Sequence, residues 1–408
     1  DSLADPVRHL PPVYSPLGPS AIARAVTSGA ARGRKVRDAL IEHLSRTFDA
    51  PTVVATGSGT QALQLAMELA PAFNRGPAVV ALPAYSCFDL VSAAVGAGVR
   101  VRFYDIDPVT LSPDMDHLRT VIREGVTAVV ASSLYGYPID WTSVRAECST
   151  TGAFLIEDAA QGLGTAGDDV GGGRFGNVSV LSFGRGKGWT GGGGGALLIR
   201  EAPEHGDVIR KVAASRSDFG LRKTVITTAA WMLGRPALYG IPASIPWLGL
   251  GETVYKDPTT PREISSFCAA LAKLTAVSAT EAVIVRRDVA AQWDTALGAS
   301  AGAFSTCSPM GGPSQASFLR YALVLRDPTH VSDLIRATGL MGAARGYPTA
   351  LDQLPQTGQV RSGTATRALP GAQRLAATLV TLPTHHWVTP REIGTVASQL
   401  SSLSDPFR

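Results

Sequence analysis

Short apolar runs alternate with amphipathic segments through the first half of the chain. In Lys35–Phe48 the apolar residues recur every three to four positions, which is typical of an amphipathic helix. Apolar runs predict strands at Thr52–Ala55, Val79–Leu82, Val101–Tyr104, Ala128–Ser132, Phe154–Glu157, Val178–Ser182 and Ala196–Ile199. Helices are predicted between them, at Thr60–Ala70, His117–Arg123 and Thr142–Thr151. Strands that are apolar throughout and alternate with helices indicate an α/β fold with a largely parallel sheet covered on both faces.

The rest of the chain has a different pattern, which suggests further domains. Ile264–Leu297 is predicted to be one long helix, and strand Arg320–Leu325 with helices Val331–Thr338 and Glu392–Leu403 predicts a smaller α/β unit. Residues 1–30 are rich in Pro, Ser and Ala, so we predict an irregular arm. The predicted division is an N-terminal arm and helix (1–50), a large domain (51–265) with an apolar insertion (224–256), a connecting helix (266–299) and a small C-terminal domain (300–408).

Composition narrows the class of protein. Hydrophobic residues make up 45% of the 408 residues and charged residues 17%, which excludes wholesale disorder. The 37 Lys and Arg are spread among 33 Asp and Glu without a basic block, so no nucleic-acid partner is expected. The four cysteines are far apart and form no CxxC pair, so neither a disulfide framework nor a zinc site is expected. Residues 1–5 show no basic-then-apolar leader, and the apolar stretch 236–251 is too short for a bilayer span. We therefore expect a soluble, cytoplasmic protein.

Four segments that can carry chemistry follow one another along the predicted sheet. They are Gly57–Thr60, Glu157–Gln161, Ser182–Lys187 and Gly191–Gly195. Each one alone has an ordinary explanation: a turn, a helix cap at Asp158, a solvated lysine and a flexible loop. Together they supply a helix N-terminus for a phosphate, a carboxylate at a strand end and a lysine in a loop after a serine. That set suits pyridoxal 5'-phosphate, whose aldehyde binds a lysine and whose ring nitrogen needs an acid.

These segments resemble the DegT/DnrJ/EryC1/StrS family of fold-type I pyridoxal-phosphate enzymes, which are mostly sugar aminotransferases. The most specific likeness is the pair EDAAQ at Glu157–Gln161 and SFxxxK at Ser182–Lys187. Weaker landmarks of the family are similar to Ser58–Leu63, Pro83–Ser86, Tyr135–Asp140, Gly346–Pro348, Pro370–Ala372 and Leu382–Pro383. The resemblance implies a large domain with a mostly parallel seven-stranded sheet, a small C-terminal α/β domain and a homodimer.

The resemblance also implies roles for individual residues. Lys187 would form the Schiff base and carry the proton, and Asp158 would pair with the pyridine nitrogen. Gln161 would reach the ring hydroxyl. The family stacks an aromatic residue on the ring at the position of Cys87, and of the aromatic residues nearby, Tyr85 and Phe88, we favour Phe88. The phosphate would be held by Ser58, Gly59, Thr60 and Ser182.

The sequence departs from the family pattern on the substrate side. Gly193 stands where the family has a Glu, and Ser133 or Leu134 where it has a His. Thr260 stands where the family has an Asn that reaches the phosphate of the partner subunit. The apolar insertion 224–256 has no obvious counterpart in the family.

Three functions remain open at this point. The first is an aminotransferase that moves an amino group from an amino acid, first of all glutamate, to a keto sugar or related cyclic ketone. The second is another reaction of the same cofactor, such as dehydration, retro-aldol cleavage or elimination. The third is a catalytically silent regulator, against which the intact Lys187 argues. For the insertion we favour packing at a domain or dimer interface over contact with a membrane.

Overall fold

The computed structural model describes residues 8–73, 78–162, 171–202, 205–215, 218–245, 249, 253–298, 302–363 and 367–403. Its strands are β1 (Thr52–Thr56), β2 (Val79–Pro83), β3 (Arg100–Tyr104), β4 (Ala128–Ser132), β5 (Phe154–Asp158), β6 (Val178–Ser182), β7 (Gly195–Ile199), β8 (Phe304–Thr306), β9 (Tyr321–Leu325), β10 (Ala344–Arg345) and β11 (Leu379–Leu382).

The helices of the first half are α1 (Pro19–Ala31), α2 (Gly33–Phe48), α3 (Gly59–Glu68), α4 (Asp89–Ala97), α5 (Met115–Arg123), α6 (Trp141–Thr151) and α7 (Gly206–Ala213). Those of the second half are α8 (Leu221–Leu233), α9 (Gly240–Ala243), α10 (Ser266–Leu274), α11 (Ala276–Leu297), α12 (His330–Thr338), α13 (Pro370–Thr378) and α14 (Pro390–Ser402).

The larger sheet places the ends of its central strands side by side. Within the described residues it has seven strands in the order β1-β7-β6-β5-β4-β2-β3. In the part β6-β5-β4-β2-β3 each strand is parallel to the next one. β7 runs antiparallel to both β6 and β1. The predicted mostly parallel seven-stranded sheet is therefore confirmed. Every residue of β4, β5, β6 and β7 is buried, which explains why apolar residues predominate in these strands.

A second, antiparallel sheet lies in the C-terminal part of the chain. Among the described residues it has four strands in the order β10-β11-β9-β8. β8 and β9 follow α11 along the chain, and α14 packs against both α11 and α12. The division of the chain at residues 50, 265 and 299 stays a prediction.

The N-terminal arm is more regular than its composition predicts. Residues 1–7 lie outside the described residues, and the expected irregular arm gives way to α1 at Pro19. The side of α1 with Ile22, Ala25 and Gly29 is buried against α10. A Cβ on Gly29 would lie 3.1 Å from the backbone nitrogen of Phe267, so close approach of the two helices requires small residues. Those small residues weaken the apolar periodicity by which a helix is recognised.

The predicted single helix Ile264–Leu297 is wrong, because the chain bends there. α10 and α11 meet at Thr275 at an angle of 52°. The side chain of Thr275 donates to the carbonyls of Thr190 (2.6 Å) and Leu271 (3.0 Å), so tertiary contacts mark the break. No single described helix has the length and apolarity to cross a bilayer, although this bent pair does when its two helices are counted together.

Candidate active site

A cavity of about 290 Å³ opens where the carboxyl ends of β4, β5 and β6 meet the first turn of α3. Carboxyl ends of neighbouring parallel strands are the usual ligand-binding edge of an open α/β sheet. The cavity is lined by residues 57–60, 63, 86–87, 89–90, 132–134, 158, 160–161, 182, 184–185, 187, 193–194, 223 and 256. Side chains far apart in sequence are thus gathered around one small volume.

The last two residues of β5 have different tasks because alternate strand residues face opposite sides of the sheet. Glu157 is fully buried away from the cavity and accepts hydrogen bonds from the backbone of Gly173 (2.6 Å) and Phe175 (2.8 Å) and from the Ser179 hydroxyl (2.6 Å). Asp158 lines the cavity. One carboxylate therefore supports a loop, and the other is presented to a ligand.

The Asp158 carboxylate is oriented from two sides. The Ser132 hydroxyl donates to Oδ2 at 3.1 Å, and the backbone N–H of Ala160 donates to Oδ1 at 3.1 Å. Burial raises the pKa of Asp158 above its ordinary value, and the positive charge of Lys187 opposes that rise. The carboxylate is thus held rigidly, in electrostatic contact with the predicted cofactor lysine.

Gln161 is held by aromatic residues from two parts of the chain. Its side-chain oxygen accepts from the backbone N–H of Tyr135 (2.8 Å), and its side-chain nitrogen donates to the Tyr347 hydroxyl (2.5 Å). The Tyr347 ring stacks on Tyr135 at 5.7 Å and lies 5.5 Å from Tyr85. Burial raises the pKa of Tyr347 well above its ordinary value, so its hydroxyl stays neutral. A residue of the C-terminal part of the chain thereby fixes a side chain of the cavity.

The first turn of α3 forms a cradle of backbone amides. Ser58 caps the helix by accepting the N–H of Gln61 (3.2 Å), and the amides of Gly59 and Thr60 belong to its first turn, where intrahelical acceptors are absent. A Cβ on Gly59 would lie 2.7 Å from the Cβ of Ser182, so only glycine lets β6 approach the cradle. Such a helix start attracts anions.

The end of α10 anchors the loop that carries Lys187. The indole N–H of Trp189 donates to the carbonyl of Ala272 at 2.7 Å, and Thr275 donates to the carbonyl of Thr190 at 2.6 Å. Both contacts are buried. The bend between α10 and α11 is therefore part of what holds the loop in place.

Two further contacts hold the same loop from other elements. The guanidinium of Arg286 in α11 donates to the carbonyl of Gly188 at 3.2 Å. The backbone N–H of Gly186 donates to the hydroxyl of Ser15, in the arm before α1, at 3.0 Å. Lys187 itself is half-buried and lines the cavity.

The aromatic residue predicted to stack on the cofactor ring lies behind the cavity wall. Phe88 is 5% exposed, with its ring 6.4 Å from that of Tyr347, and it is not among the lining residues. Cys87 lines the cavity instead. Burial, with a smaller contribution from Asp89, raises the pKa of Cys87 to about 12, so the thiol stays protonated. The stacking role of Phe88 stays a prediction that the cavity lining does not support.

The structure brings together the other predicted site residues. Those that line the cavity are Ser58, Gly59, Thr60, Asp158, Gln161, Ser182 and Lys187. Lys223, Lys256 and Asp89 also line it, although sequence reasoning did not select them. No local motif marks the two lysines, because they reach the cavity only through the path of the chain around α8. Thr260 is not in the lining, and its carbonyl accepts from the Gln61 side chain at 3.1 Å.

Comparison with known proteins identifies similar chains. The sequence profile of the DegT/DnrJ/EryC1/StrS aminotransferase family matches residues 20–401. Over 148 residues the chain is 35% identical to an L-glutamine:2-deoxy-scyllo-inosose aminotransferase of Streptomyces kanamyceticus. That match covers 36% of this chain and 34% of the relative. Over 133 residues it is 30% identical to a GDP-4-keto-6-deoxy-D-mannose 3-dehydratase of Yersinia pseudotuberculosis. That match covers 32% of this chain and 34% of the dehydratase. The chain thus matches about a third of the length of these curated relatives.

A solved structure extends the likeness over the whole fold. PseC of Helicobacter pylori, an aminotransferase involved in the biosynthesis of pseudoaminic acid, superposes with a TM-score of 0.75. The superposition covers 98% of this chain and 100% of that one at 16% sequence identity. At that identity the likeness shows the fold alone.

Proposed function

The chain belongs to the DegT/DnrJ/EryC1/StrS aminotransferase family, and from that membership we propose that it is a pyridoxal-phosphate-dependent aminotransferase. It would transfer an amino group from an amino acid, glutamate first of all, to a keto sugar or related cyclic ketone. The observation that carries the proposal is the cavity in which Asp158, Lys187 and the amide cradle at Gly59 and Thr60 meet.

The residues present fit pyridoxal 5'-phosphate. The cradle offers two backbone amides and the Ser182 hydroxyl to a phosphate, and glycine at position 59 keeps the approach open. The Asp158 carboxylate and the Lys187 amine line the same cavity and interact electrostatically. Gln161 is fixed beside them by Tyr135 and Tyr347.

Each residue has a task that follows from its position. When bound, the cofactor supplies an aldehyde that reacts with amines and a ring that accepts electrons. Asp158 would hold a proton at the ring nitrogen, since Ser132 and Ala160 aim its carboxylate into the cavity. Lys187 would bind the aldehyde carbon and then take up and return protons at its Nζ atom.

A dehydratase on the same scaffold is the second candidate. It is favoured by the relative named as a 3-dehydratase and by the loop after Lys187, where Gly193 replaces the Glu of the family pattern. Asp158 and Lys187 alone do not choose between the two reactions, so the fate of the amino group is what separates them. A non-catalytic regulator is the weakest candidate, because Lys187 is intact.

The assembly proposed for this enzyme is a cytoplasmic homodimer without a nucleic-acid partner. The lack of a basic block in the sequence supports the proposal that the protein does not bind nucleic acid. Large apolar side chains on the exposed side of α8 support a partner surface there.

A half-reaction without acceptor tests the function. Cofactor-loaded protein mixed with glutamate or glutamine should release about one 2-oxo acid per site and leave the cofactor aminated. Borohydride reduction before the donor is added should attach the cofactor to the peptide that contains Lys187. Lys187→Ala should neither aminate the cofactor nor become attached to it by borohydride. The control Lys35→Ala, an exposed change on α2, should do both.

Two results would contradict the proposal. Attachment of the cofactor to a different lysine would remove Lys187 from its role. Failure of both donors to aminate the cofactor, together with loss of water from a keto sugar, would make the dehydratase the better assignment.

A further inference from the structure

The cavity carries more positive charge than the chemistry above uses. Among the described residues that line it, the cations are Arg185, Lys187, Lys223 and Lys256, and the anions are Asp89 and Asp158. Lys187 and Asp158 face the cofactor in the proposed function. The two lysines beyond the cofactor loop, Lys223 and Lys256, have no task in it.

Lys223 occupies space that a side chain at position 193 would fill. A Cβ built on Gly193 would lie 3.2 Å from both Cδ and Nζ of Lys223. Glycine at position 193 therefore leaves room for the Lys223 side chain at the wall of the cavity.

The position of Lys223 lies next to the amide cradle. Gly194, which follows Gly193, pairs with Ser58 at the start of the cradle. In the described part of the chain no carboxylate lies within 4 Å of the Nζ atom of Lys223 or of Lys256. A half-buried ammonium group without a counter-ion is a favourable partner for an oxyanion.

The second lysine extends the positive region toward solvent. Lys256 is exposed, whereas Lys223 is half-buried, and Arg185 at the same cavity is exposed as well. The cations of this cavity beside Lys187 thus comprise one half-buried lysine, Lys223, and two exposed groups.

From this arrangement we infer that Lys223 and Lys256 form a substrate site for an oxyanion group, separate from the cofactor phosphate cradle. The group is a carboxylate of the amino donor or a phosphate of a phosphorylated acceptor, and either binds the ammonium groups by charge-assisted hydrogen bonds. The inference rests on the proposed function, because it takes the cofactor to occupy the cradle. It makes Lys223 a residue that determines which substrates the enzyme accepts.

Calorimetric titration of the cofactor-loaded protein, in buffer without phosphate, tests the site without turnover. Inorganic pyrophosphate serves as the probe for a phosphorylated acceptor, and glutarate as the probe for a dicarboxylate donor. At least one probe should bind, and Lys223→Gln should weaken it by about 10-fold or more, as expected for loss of a charged hydrogen bond. Lys223→Arg should retain most of the binding, and Lys35→Gln should bind as the unmodified protein does.

The probe that responds to Lys223→Gln identifies the source of the anion. The inference is overturned if neither probe binds the unmodified protein, or if Lys223→Gln binds both unchanged. It is also overturned if Lys223→Gln instead weakens the binding of pyridoxal 5'-phosphate to the cofactor-free protein, since Lys223 would then belong to the cradle. A protein that binds a probe through Lys223 but never aminates its cofactor would contradict the proposed function and leave this anion site in place.

Discussion

At the scale of single residues, the chemistry of the cavity depends on a carboxylate that is costly to ionise. Asp158 is 9% exposed, and burial raises its pKa despite the nearby positive charge of Lys187 and two donated hydrogen bonds. A raised pKa means that the folded chain binds the proton more tightly than the unfolded chain does. The stabilising contribution of this group is therefore complete at acid pH and declines as pH rises through its folded pKa.

The first prediction follows from that sign. Asp158→Asn, which keeps a similar shape and stays neutral, should raise the Tm of the cofactor-free protein relative to the unmodified protein, and the gain should grow from pH 4 to pH 8. The same variant should bind the cofactor but lose turnover by about 100-fold or more, because an amide cannot hold the proton at the ring nitrogen. The measurements are thermal unfolding across that pH range and the half-reaction with glutamate.

Two outcomes would count against this assignment. Near-normal turnover in Asp158→Asn would remove the residue from the mechanism. A difference in Tm that shrinks as pH rises would mean that Asp158 is stabilised in its charged form.

At the scale of elements, the loop that carries Lys187 is held by neighbouring helices. Trp189 and Thr190 contact the end of α10, Gly188 contacts Arg286 of α11, and Gly186 contacts Ser15 before α1. The break in the helix frees carbonyls at its C-terminal end, which accept such bonds. The break between α10 and α11 thus helps to fix the conformation of the loop that carries Lys187.

The second prediction tests that anchor with a matched pair of threonines. Thr275→Val removes a buried hydroxyl that donates to Thr190 at 2.6 Å, and it should lower the free energy of unfolding by about 1–3 kcal/mol, since it leaves a buried acceptor unpaired. It should also speed release of the cofactor. Thr295→Val is the control, because its hydroxyl donates to the carbonyl of Ala291 at 2.9 Å on an exposed face of α11.

Urea unfolding and the rate of cofactor loss measure the two effects. If Thr275→Val is as mild as Thr295→Val in both, the contact with the loop has no energetic weight. A loss of stability without faster cofactor release would mean that Thr275 stabilises the fold but does not help to retain the cofactor.

At the scale of the whole molecule, α8 and α9, which contain most of the described part of the apolar insertion, leave apolar surface uncovered. Leu221, Val225 and Met232 lie on one side of α8 with 68%, 61% and 50% of their surface exposed, and Ile241 of α9 is 56% exposed. Trp231 packs instead against the core, and Trp247 lies outside the described residues. The stripe on α8 is therefore the better place to test the proposed homodimer than the tryptophans are.

The third prediction concerns that stripe. Leu221→Glu combined with Val225→Glu should weaken dimerisation by about 10-fold or more, because buried charges at an interface lack partners. The paired control is Val277→Glu with Ile284→Glu, which changes two equally exposed apolar residues on α11. Sedimentation across a range of protein concentrations measures the effect, and borohydride attachment at Lys187 confirms that the cavity is intact.

The stripe loses its assigned role under either of two results. One is an unmodified protein that sediments as a monomer, in which case binding to lipid vesicles becomes the test of the membrane interpretation. The other is a control pair that dissociates the dimer while the α8 pair does not.

Periodicity in the sequence was sufficient for most of the larger sheet. β4 and β6 begin and end at the residues predicted for them, because a strand buried on both faces is mostly apolar along its length. α1 was missed because its close contact with α10 selects small residues such as Gly29. The bend at Thr275 was missed because its cause is a hydrogen bond to Thr190, which is distant in sequence.

The sequence by itself determined the α/β class and most of the strands of the larger sheet, because strands depend largely on neighbouring residues. It also predicted Asp158, Ser182 and Lys187 as site residues from their places after strands, and Gln161 from the family resemblance. Only the tertiary structure decided that Cys87 faces the cavity while Phe88 does not, that Tyr347 holds Gln161, and that Lys223 lies against Gly193. Those contacts join residues through the path of the whole chain, and local patterns of polarity carry no information about them.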